Sequence, residues 1–275
     1  MAPFGGFSHN DQTLRVLTRL ERRYAGFDGL NLTWETLEGT AKHNGPLKGP
    51  GIERPVPPSI ALYDLRHPLE LESHPAAEAQ VAALADDIAY NNHDIDDGLR
   101  AGLFAIADLA GVPLVGPVFA SVAGLYRGLE EPRLIHESIR RLIDLMAGDL
   151  IAESRKRLAE SGVRSAAEVR AQKAPVITFS QEMRRHDRAL KAFLFERMYR
   201  HERLGRMTER AQRVVRELFA LFLGKPELLP LEWRRQAGGA EAPQTARVAA
   251  DYLAGMTDRF ALDEHRRLIA KETAE

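Results

Sequence analysis

The amino-acid sequence predicts an all-α protein. Runs in which β-branched residues alternate with polar residues do not occur, so β-strands are not indicated. Apolar residues instead recur at helical spacing along nearly the whole chain. The 275 residues are enough for one large domain, or for one domain with a helical appendage, and for a sizeable buried core.

Helical periodicity and capping residues place the elements of the first third of the chain. The first predicted helix has its apolar positions at Leu14, Leu17, Leu20 and Tyr24. It ends at the Gly-rich turn 26–29, and a second helix begins at Thr33, a preferred N-cap residue, and ends near Asn44. The proline-rich stretch 47–68 predicts an irregular loop, with extended backbone at 59–63. A loop of that length is often functional.

The remaining two thirds of the sequence predict longer helices. They are expected from Pro75 to about Ala107, from Glu131 to about Ser161, in two pieces from Gln181 to Leu223, and from Thr245 to Thr273. Residues 163–178 form a predicted connector, and 236–242 a Gly- and Ala-rich loop. A domain boundary near residue 165 divides the chain into 1–164 and 165–275.

Composition restricts the kind of site and the compartment. The 38 Lys and Arg residues balance 39 Asp and Glu residues, so any charge-driven site must be local. Without cysteine, the chain can form neither disulfides nor thiolate zinc sites, and metal ligands would be His, Asp or Glu. The first ten residues do not resemble a secretion signal, so we expect a cytoplasmic protein.

One apolar stretch needs a separate interpretation. Residues 109–126 contain no charged side chain over about the length of a bilayer span. Glycines and prolines, among them Gly111, Pro113 and Pro117, interrupt this stretch. We therefore expect a pair of helices buried in a soluble core and no association with a membrane.

The segment ALADDIAYNNHDIDDGLR at 83–100 has two distinct helical faces. The predicted apolar face contains Val81, Leu84, Ile88, Ile95 and Leu99. The opposite face contains Asp86, Tyr90, Asp94 and Asp97, and small alanines flank it. This acidic face is either solvated or packed, and a packed one requires cations, metal ions or hydroxyl donors. The large Tyr90 and the alanines favour the packed interpretation.

Histidines are the candidate partners of these carboxylates, because a carboxylate can complete a metal site. His9 stands out, since it follows Gly5-Gly6-Phe7-Ser8 directly before the first helix, where a turn can aim the imidazole into a cleft. The alternative is an ordinary surface or core histidine. We expect this ordinary role for His67, His74, His136, His186 and His265.

A basic segment follows at 183–217, where eleven Lys or Arg residues stand against five Asp or Glu residues. Phe193, Phe195 and Tyr199 are interleaved with these charges, a composition that suits polyphosphate or single-stranded nucleic acid. The alternative is an amphipathic helix whose aromatic residues are core and whose arginines are solvated.

Four stretches resemble the bacterial deoxyguanosinetriphosphate triphosphohydrolase-like proteins of the HD-domain superfamily. They are GGFSHNDQTLRVLTRLERRY from Gly5, FDGLNLTWETLEGTAKHNGP from Phe27, EAQVAALADDIAYNNHDIDDGLRAGL from Glu78 and LKAFLFERMYRH from Leu190. The resemblance implies an HD-domain-like helical bundle, incomplete at its N-terminus, over 1–164. It implies a helical phosphohydrolase-associated region over 165–275.

The resemblance also implies an activity and roles for four residues. Such enzymes cleave a deoxynucleoside triphosphate into deoxynucleoside and tripolyphosphate with a divalent ion, Mg²⁺ or Mn²⁺, and homo-oligomers are common among them. Asp86 is similar to the last metal ligand, and His9 to an active-site histidine near the phosphates. Tyr90 is similar to a residue that packs on the deoxyribose, and Asp94 to the acceptor of the 3′-hydroxyl.

The sequence departs from the family pattern at the metal site. Three of the four family ligands come from an upstream His and a His-Asp pair, whereas the only such pairs here, His93-Asp94 and His186-Asp187, lie in other contexts. We therefore expect a truncated gene, a start codon assigned too late, or a fragment. A lone carboxylate does not hold a divalent ion well enough to activate water, so we expect this chain alone to be inactive or very weak.

Two alternatives to the enzyme remain open. The first is a noncatalytic nucleotide-binding or regulatory protein that keeps Tyr90 and Asp94 for the sugar. The second is a protein that binds single-stranded nucleic acid through the basic region 184–216. The preferred deoxynucleotide, the metal and the oligomeric state are not specified by these motifs.

Overall fold

The computed structural model describes residues 1–272 and confirms an all-α fold. The helices are α1 (His9–Arg15), α2 (Trp34–Ala41), α3 (Pro58–Asp64), α4 (Ala77–Arg100), α5 (Val115–Leu125), α6 (Glu131–Ser161), α7 (Ala166–Arg170), α8 (Gln181–Leu194), α9 (Glu202–Gly224), α10 (Leu231–Arg234), α11 (Pro243–Ala254) and α12 (Asp258–Glu272). Short 3-10 helices lie at Ala2–Phe4, Ile106–Gly111 and Pro226–Leu228, and π-helical turns at Val16–Leu20 and Phe195–Tyr199. Within the described residues, β-pairing is limited to one isolated bridge between Arg22 and Gly29.

The chain folds into two compact units, each discontinuous in sequence. The first unit comprises Met1–Asn31, Pro57–Tyr63 and Gly205–Glu275, and the second comprises Leu32–Val56 and Asp64–Leu204. The expected regions 1–164 and 165–275 are continuous in sequence and correspond to the domains that the family resemblance implies. The compact units do not test this division. That division therefore stays a prediction.

The second unit is built around α4 and α6. Helix α4 packs against α2, α6 and α8, and α5 packs against α6. The larger of its two cores contains Ile95, Phe104, Leu109, Val112, Val115, Val118, Phe119, Val122, Ile135, Leu142, Leu190 and Leu194. Helix α6 has the predicted bounds, because Pro132 favours its first turn and Gly162, at φ 65°, ends it in the left-handed conformation.

Two close approaches determine how α4 packs. A Cβ atom at Gly98 would lie 2.3 Å from the Phe104 ring, so this position in α4 accepts no larger residue without movement of the core. A Cβ atom at Gly39 in α2 would lie 2.7 Å from the Ala79 Cβ in α4. The alanine at 79 therefore packs closely against another helix, as expected for one of the alanines beside the acidic face.

The apolar stretch 109–126 forms the end of the 3-10 helix Ile106–Gly111 and the whole of α5. Leu109, Val115 and Val122 are completely buried. The predicted buried pair of helical segments is confirmed, with Leu114 at φ 67° in the turn between them. Along residues 1–272, none of the helices has the length and apolar character required to cross a bilayer.

The first unit has its own core, which α9, α11 and α12 share. Its buried residues are Val214, Leu218, Leu221, Phe222, Leu229, Val248, Ala249 and Leu268. Helix α1 is joined to α11 by an ion pair in which the Arg15 Nε lies 3.0 Å from the Asp251 Oδ1. Both side chains are largely buried, so the pair fixes the position of α1 within this unit.

Two local predictions for the first unit were wrong. The first helix does not reach Tyr24, because the backbone becomes extended at Glu21 and then forms the isolated bridge between Arg22 and Gly29. Residues 59–63 are helical and not extended, since they belong to α3. Buried Asp11 accepts hydrogen bonds from the Ser59 amide at 2.7 Å and the Ile60 amide at 3.1 Å, which supplies a cap from outside the helix.

Three further boundaries differ from the predictions. Helix α4 ends at Arg100 and not near Ala107, because the following turn gives way to the 3-10 helix. The predicted connector 163–178 contains the short helix α7, which Ser165 caps. The expected end of the last helix, Thr273, lies outside the described residues.

Candidate functional site

Helix α4 presents the predicted acidic face at its surface. Tyr90 is 64% exposed, the Asp86 side chain is 52% exposed, and Asp94 is half-buried. Ile88 and Ile95 on the opposite face are buried, which confirms the predicted orientation of the helix. The face is therefore neither fully solvated nor fully packed, and its central part is accessible to a ligand.

The prediction for one residue of the apolar face was wrong. Val81 is 45% exposed, whereas its neighbour Gln80 is 6% exposed. The Gln80 Nε2 donates to the Pro75 carbonyl at 2.8 Å, and its Oε1 accepts from the amides of Val176 and Ile177 at 3.0 and 3.1 Å. An amide that is hydrogen-bonded through both its nitrogen and its oxygen can occupy the interior where periodicity predicts an apolar residue.

The central contact of the face joins Asp94 to Tyr199. The Tyr199 hydroxyl donates a hydrogen bond to the Asp94 Oδ2. Tyr199 ends the π-helical turn Phe195–Tyr199 that follows α8, and Tyr90 lies one turn before Asp94 on α4. The carboxylate of Asp94 thus accepts from one tyrosine and lies one helical turn from another, and no described residue donates to its Oδ1.

Asp94 also alters the ionisation of its partner. Partial burial, the hydrogen bond to Asp94 and the charge of Asp94, with a smaller effect of Tyr90, raise the pKa of Tyr199 from 10.0 to about 12. Tyr199 is consequently a hydroxyl donor throughout the physiological pH range. The arrangement combines a charged acceptor with two aromatic rings, which suits a ligand with both a hydroxyl group and a flat or ring-shaped body.

Asp86 lies two turns before Asp94 and faces a histidine that the sequence analysis did not select. The His43 Nε2 is 3.7 Å from the Asp86 Oδ2, and both side chains are partly exposed. His43 follows α2, whose packing on α4 brings it to this position. The pair supplies one nitrogen and one carboxylate donor.

A divalent-metal site requires more donors than these two. Within the part of the chain that the structure describes, no group of three or more His, Asp or Glu side chains could hold a metal ion. Catalytic zinc sites, for comparison, combine three protein ligands with an open position for water. The described residues therefore do not by themselves fit a complete metal site.

The neighbouring carboxylate Asp87 is held by a separate polar network. The Lys191 Nζ lies 3.2 Å from Asp87 and 3.1 Å from Asp187, and the Asn91 Nδ2 donates to Asp187 at 2.7 Å. Burial lowers the pKa of Lys191, but the charges and hydrogen bonds of Asp187 and Asp87 outweigh this effect and raise it overall. The network connects α4 to α8, and it gives Asp187 a structural role.

His9 is the first residue of α1 and is exposed. Ser8 caps the helix by accepting from the Asp11 amide, and Asp11 and Arg15 fix α1 through the contacts described above. His9 belongs to the first unit, whereas Asp86, Tyr90 and Asp94 belong to the second. A role of His9 beside these three residues stays a prediction.

Comparisons with known proteins identify the family. The chain is 58% identical over 269 residues to a deoxyguanosinetriphosphate triphosphohydrolase-like protein of Parvibaculum lavamentivorans, an alignment that covers 98% of this chain and 68% of the relative. A protein of the same name from Azorhizobium caulinodans is 54% identical over 97% of this chain and 68% of its own length. The chain belongs to the deoxyguanosinetriphosphate triphosphohydrolase-like proteins. The phosphohydrolase-associated domain, as a family model, matches residues 177–267.

In this triphosphohydrolase-like chain, the associated region begins before α8 and therefore includes Tyr199. The sequence analysis placed Tyr199 only among the aromatic residues of the basic segment. Its position in LKAFLFERMYRH, a stretch that resembles the family, was the available indication of a role at the site. His43 offered no such indication beyond its place in the second resembling stretch.

The aromatic residues of the basic segment have three different environments. Phe193 packs edge-on against Phe104, with ring centroids 5.1 Å apart, as the core interpretation predicts. Phe195 is exposed beneath the guanidinium of Arg200, and Tyr199 contacts Asp94. Binding of single-stranded nucleic acid by region 184–216 stays a prediction for this triphosphohydrolase-like protein.

Proposed function

We propose that the exposed face of α4 binds a deoxynucleoside triphosphate, and that the chain takes part in its hydrolysis to deoxynucleoside and tripolyphosphate. The observation that supports this proposal is the Asp94 carboxylate, which accepts a hydrogen bond from Tyr199 and lies one helical turn after the exposed Tyr90. The relatives carry a deoxyguanosinetriphosphate triphosphohydrolase-like name, which favours dGTP as the first substrate to test.

In this proposal, Asp94 binds the sugar through its 3′-hydroxyl. The Tyr199 hydroxyl donates to the Asp94 Oδ2, so the Asp94 Oδ1 is the atom that accepts a hydrogen bond from the ligand. The Tyr90 ring, 64% exposed, packs against the deoxyribose, where a 2′-hydroxyl would be desolvated without a partner. This arrangement selects deoxynucleotides over ribonucleotides.

Hydrolysis adds water across the bond between the α-phosphorus and the 5′ oxygen. The 5′ oxygen gains a proton and leaves with the deoxynucleoside, while the three phosphates leave together as tripolyphosphate. We propose that His9 contacts the phosphates or transfers a proton there, since an imidazole exchanges protons near neutral pH. Arginines of the second half of the chain would neutralise phosphate charge.

Asp86 is proposed to contribute one ligand to a divalent ion, Mg²⁺ or Mn²⁺, with His43 as a second candidate at 3.7 Å from it. These two donors are not a complete set of ligands for such an ion. We expect weak or undetectable hydrolysis by this chain on its own. A noncatalytic nucleotide-binding protein would share the sugar site and differ only in the absence of turnover.

Binding measurements test the sugar site. In calorimetric titrations, Asp94→Asn should weaken dGTP binding about tenfold or more, because a hydrogen bond to a charged group contributes roughly 1.5–3 kcal/mol. The same substitution should change the affinity for 2′,3′-dideoxy-GTP only little, because this nucleotide lacks the 3′-hydroxyl. Asp97→Asn, an equal loss of charge on the same exposed helix, is the control. Equal effects of both substitutions on dGTP would contradict the assigned role of Asp94.

Product analysis tests the chemistry. Tripolyphosphate release from dGTP should be measured with Mn²⁺ and with Mg²⁺ for the wild-type chain and for Asp86→Ala. If the wild-type chain releases tripolyphosphate and Asp86→Ala does not, the result would support Asp86 as a metal ligand. It would also contradict the expectation that this chain alone has weak activity. dGTP binding without release in either protein would support the noncatalytic alternative.

A further inference from the structure

An open cleft of 650 Å³ lies between α5, α6 and α8, within the second unit. Its apolar lining comes from the turn before α5 and the first turns of α5, at Pro113, Leu114, Pro117 and Val118. Leu145 of α6 adds a further apolar side chain, which is 46% exposed. Sites for small organic molecules measure about 300–1,000 Å³ and are mostly apolar, so the cleft has the size and character of such a site.

The charged side chains at the cleft balance one another. Arg141 and Asp144 line it, and the Arg141 Nε lies 2.9 Å from the Glu137 Oε1. The same carboxylate pairs with Arg140, and the charge of Asp144 acts on Arg140 from one turn further along α6. Two cations thus stand against two carboxylates, so the cleft favours a ligand without net charge.

Two polar side chains of the cleft lack hydrogen-bond partners. The exposed Asp144 carboxylate accepts no hydrogen bond from another residue that the structure describes. At α8, the Nδ1 of His186 is buried and likewise has no partner among the described residues. A buried nitrogen without a partner costs free energy, so packing alone does not account for a histidine at this position. A few unpaired polar groups within an apolar lining are typical of a small-molecule site.

The backbone of the cleft is strained at Leu114. This residue, which precedes α5, has φ 67° and ψ −51°, a conformation that leucine rarely adopts. Its side chain packs against both cores of the second unit, which keeps the turn in place. Strained residues persist only where their surroundings determine them, and they concentrate at ligand sites. The cleft therefore has a rigid lining that exists before any ligand binds.

Helix α8 separates the cleft from the proposed nucleotide site. Asp187, the residue after His186, faces α4, where the Asn91 Nδ2 donates to it at 2.7 Å. Consecutive residues of a helix lie about 100° apart around its axis, so His186 faces α5 and α6 instead. The lining residues come from α5, the turn before it, α6 and α8. A ligand in the cleft therefore does not occupy the face of α4 that contains Asp94.

We propose that this cleft binds a small uncharged ring molecule that has an apolar body and an N–H or O–H donor. The donor bonds to the Asp144 carboxylate, which is an acceptor only. The ring lies against Pro117 and Leu145, where a rigid body loses less conformational freedom on binding than a flexible chain of equal size. The site does not depend on the sugar-binding role of Asp94, so either proposal can fail without the other.

Indole is the probe for this site, because it is uncharged, largely apolar and has one N–H donor. In methyl NMR titrations of the full chain with isotope-labelled leucine and valine, indole should shift the signals of Leu114, Val118 and Leu145. The dissociation constant should be roughly 1 mM, as expected for a molecule of so few atoms. 1-Methylindole, the same ring without the donor, should bind about tenfold more weakly, because it loses a hydrogen bond to a charged group.

Four variants locate the contacts. Asp144→Ala should weaken indole binding about tenfold and leave 1-methylindole binding unchanged. Glu160→Ala, which removes an exposed carboxylate of α6 outside the cleft, is the matched control. Ser121→Trp places a bulky ring in the cleft and should abolish binding of both probes, whereas Ala123→Trp, at another exposed position of α5, should not. Circular dichroism should show that all four variants remain folded.

Three results would overturn the proposal. If indole leaves the methyl signals of the cleft unmoved, the cleft does not take a ligand of this class. If indole and 1-methylindole bind equally well, the N–H donor has no acceptor in the cleft. If Asp144→Ala and Glu160→Ala weaken indole binding equally, the acceptor is not the Asp144 carboxylate.

Discussion

Tyr199 donates its hydroxyl hydrogen to Asp94 across 105 residues of sequence, and this bond connects the π-helical turn after α8 to the exposed face of α4. Asp94 is therefore oriented before any ligand binds. Because Tyr90 follows the same face one turn earlier, the three side chains form a small polar and aromatic cluster on an otherwise acidic surface.

Tyr199→Phe should weaken dGTP binding by roughly fivefold, since one neutral hydrogen-bond donor contributes about 1 kcal/mol to the orientation of its partner. Calorimetry with dGTP and with 2′,3′-dideoxy-GTP measures the effect, which should be confined to dGTP. Tyr24→Phe removes the hydroxyl of a comparably exposed tyrosine and serves as the control. An unchanged affinity for dGTP in Tyr199→Phe would show that Asp94 needs no such support.

The pKa of Tyr199 predicts a stability change at alkaline pH. Because the folded-state pKa is about 12 and the ordinary value is 10.0, the stabilising effect is fully present below pH 10 and disappears as the pH rises toward 12. Ultraviolet titration of wild type minus Tyr199→Phe should show one tyrosine that ionises near pH 12. In Asp94→Asn, the same difference titration should move toward pH 10, and a transition near 10 in the wild-type chain would contradict the assignment.

Lys42 is completely buried and should be important for stability. Its Nζ lies 2.6 Å from the buried Glu38 carboxylate, 3.0 Å from the Ser73 hydroxyl and 3.1 Å from the Glu70 carbonyl. Lys42→Met would leave the Glu38 charge with only the Arg170 guanidinium at 3.3 Å, so the free energy of unfolding should fall by about 3–5 kcal/mol.

Urea denaturation measures this loss, and one variant provides the control. Lys48→Met removes a partly exposed ion pair with Asp64 and should cost less than about 1 kcal/mol. An equal loss of stability in Lys42→Met and Lys48→Met would refute the explanation from buried charge.

Gly98→Ala should destabilise the protein, although alanine is normally favoured in a helix. The new methyl group would meet the Phe104 ring, itself 6% exposed in the core, and such overpacking typically costs about 1–3 kcal/mol. Gly148→Ala in α6 introduces the same group where no atom lies within 4 Å, and should stabilise the protein by about 0.5–1 kcal/mol. Thermal and urea unfolding of the two variants should therefore shift in opposite directions.

Local sequence was sufficient to predict helix bounds where the residues at the ends of a helix determine them. The bounds of α6 follow from Pro132 and Gly162, and Thr33 caps α2 as predicted. The buried face of α4 was predictable at Ile88 and Ile95, because the helical spacing of apolar residues continues over many turns and one exception does not change it. The candidate residues Asp86, Tyr90 and Asp94 share a face for the same reason.

Contacts between distant residues account for the differences. Gln80 is interior because amides of Val176 and Ile177 reach it, and Tyr199 belongs to the site because α8 packs against α4. His43 reaches Asp86 only through the packing of α2. Neither spacing nor composition encodes such pairings, so a single sequence does not reveal them.

The capping of α3 by Asp11 has a consequence for how this part of the chain opens. A seven-residue helix is not stable in isolation, and the carboxylate that caps α3 lies 48 residues before Ser59. The amide hydrogens of Ser59 and Ile60 are therefore protected from exchange with solvent only while α1 stays in place. Their exchange rates report the local undocking of the helix whose first residue is His9.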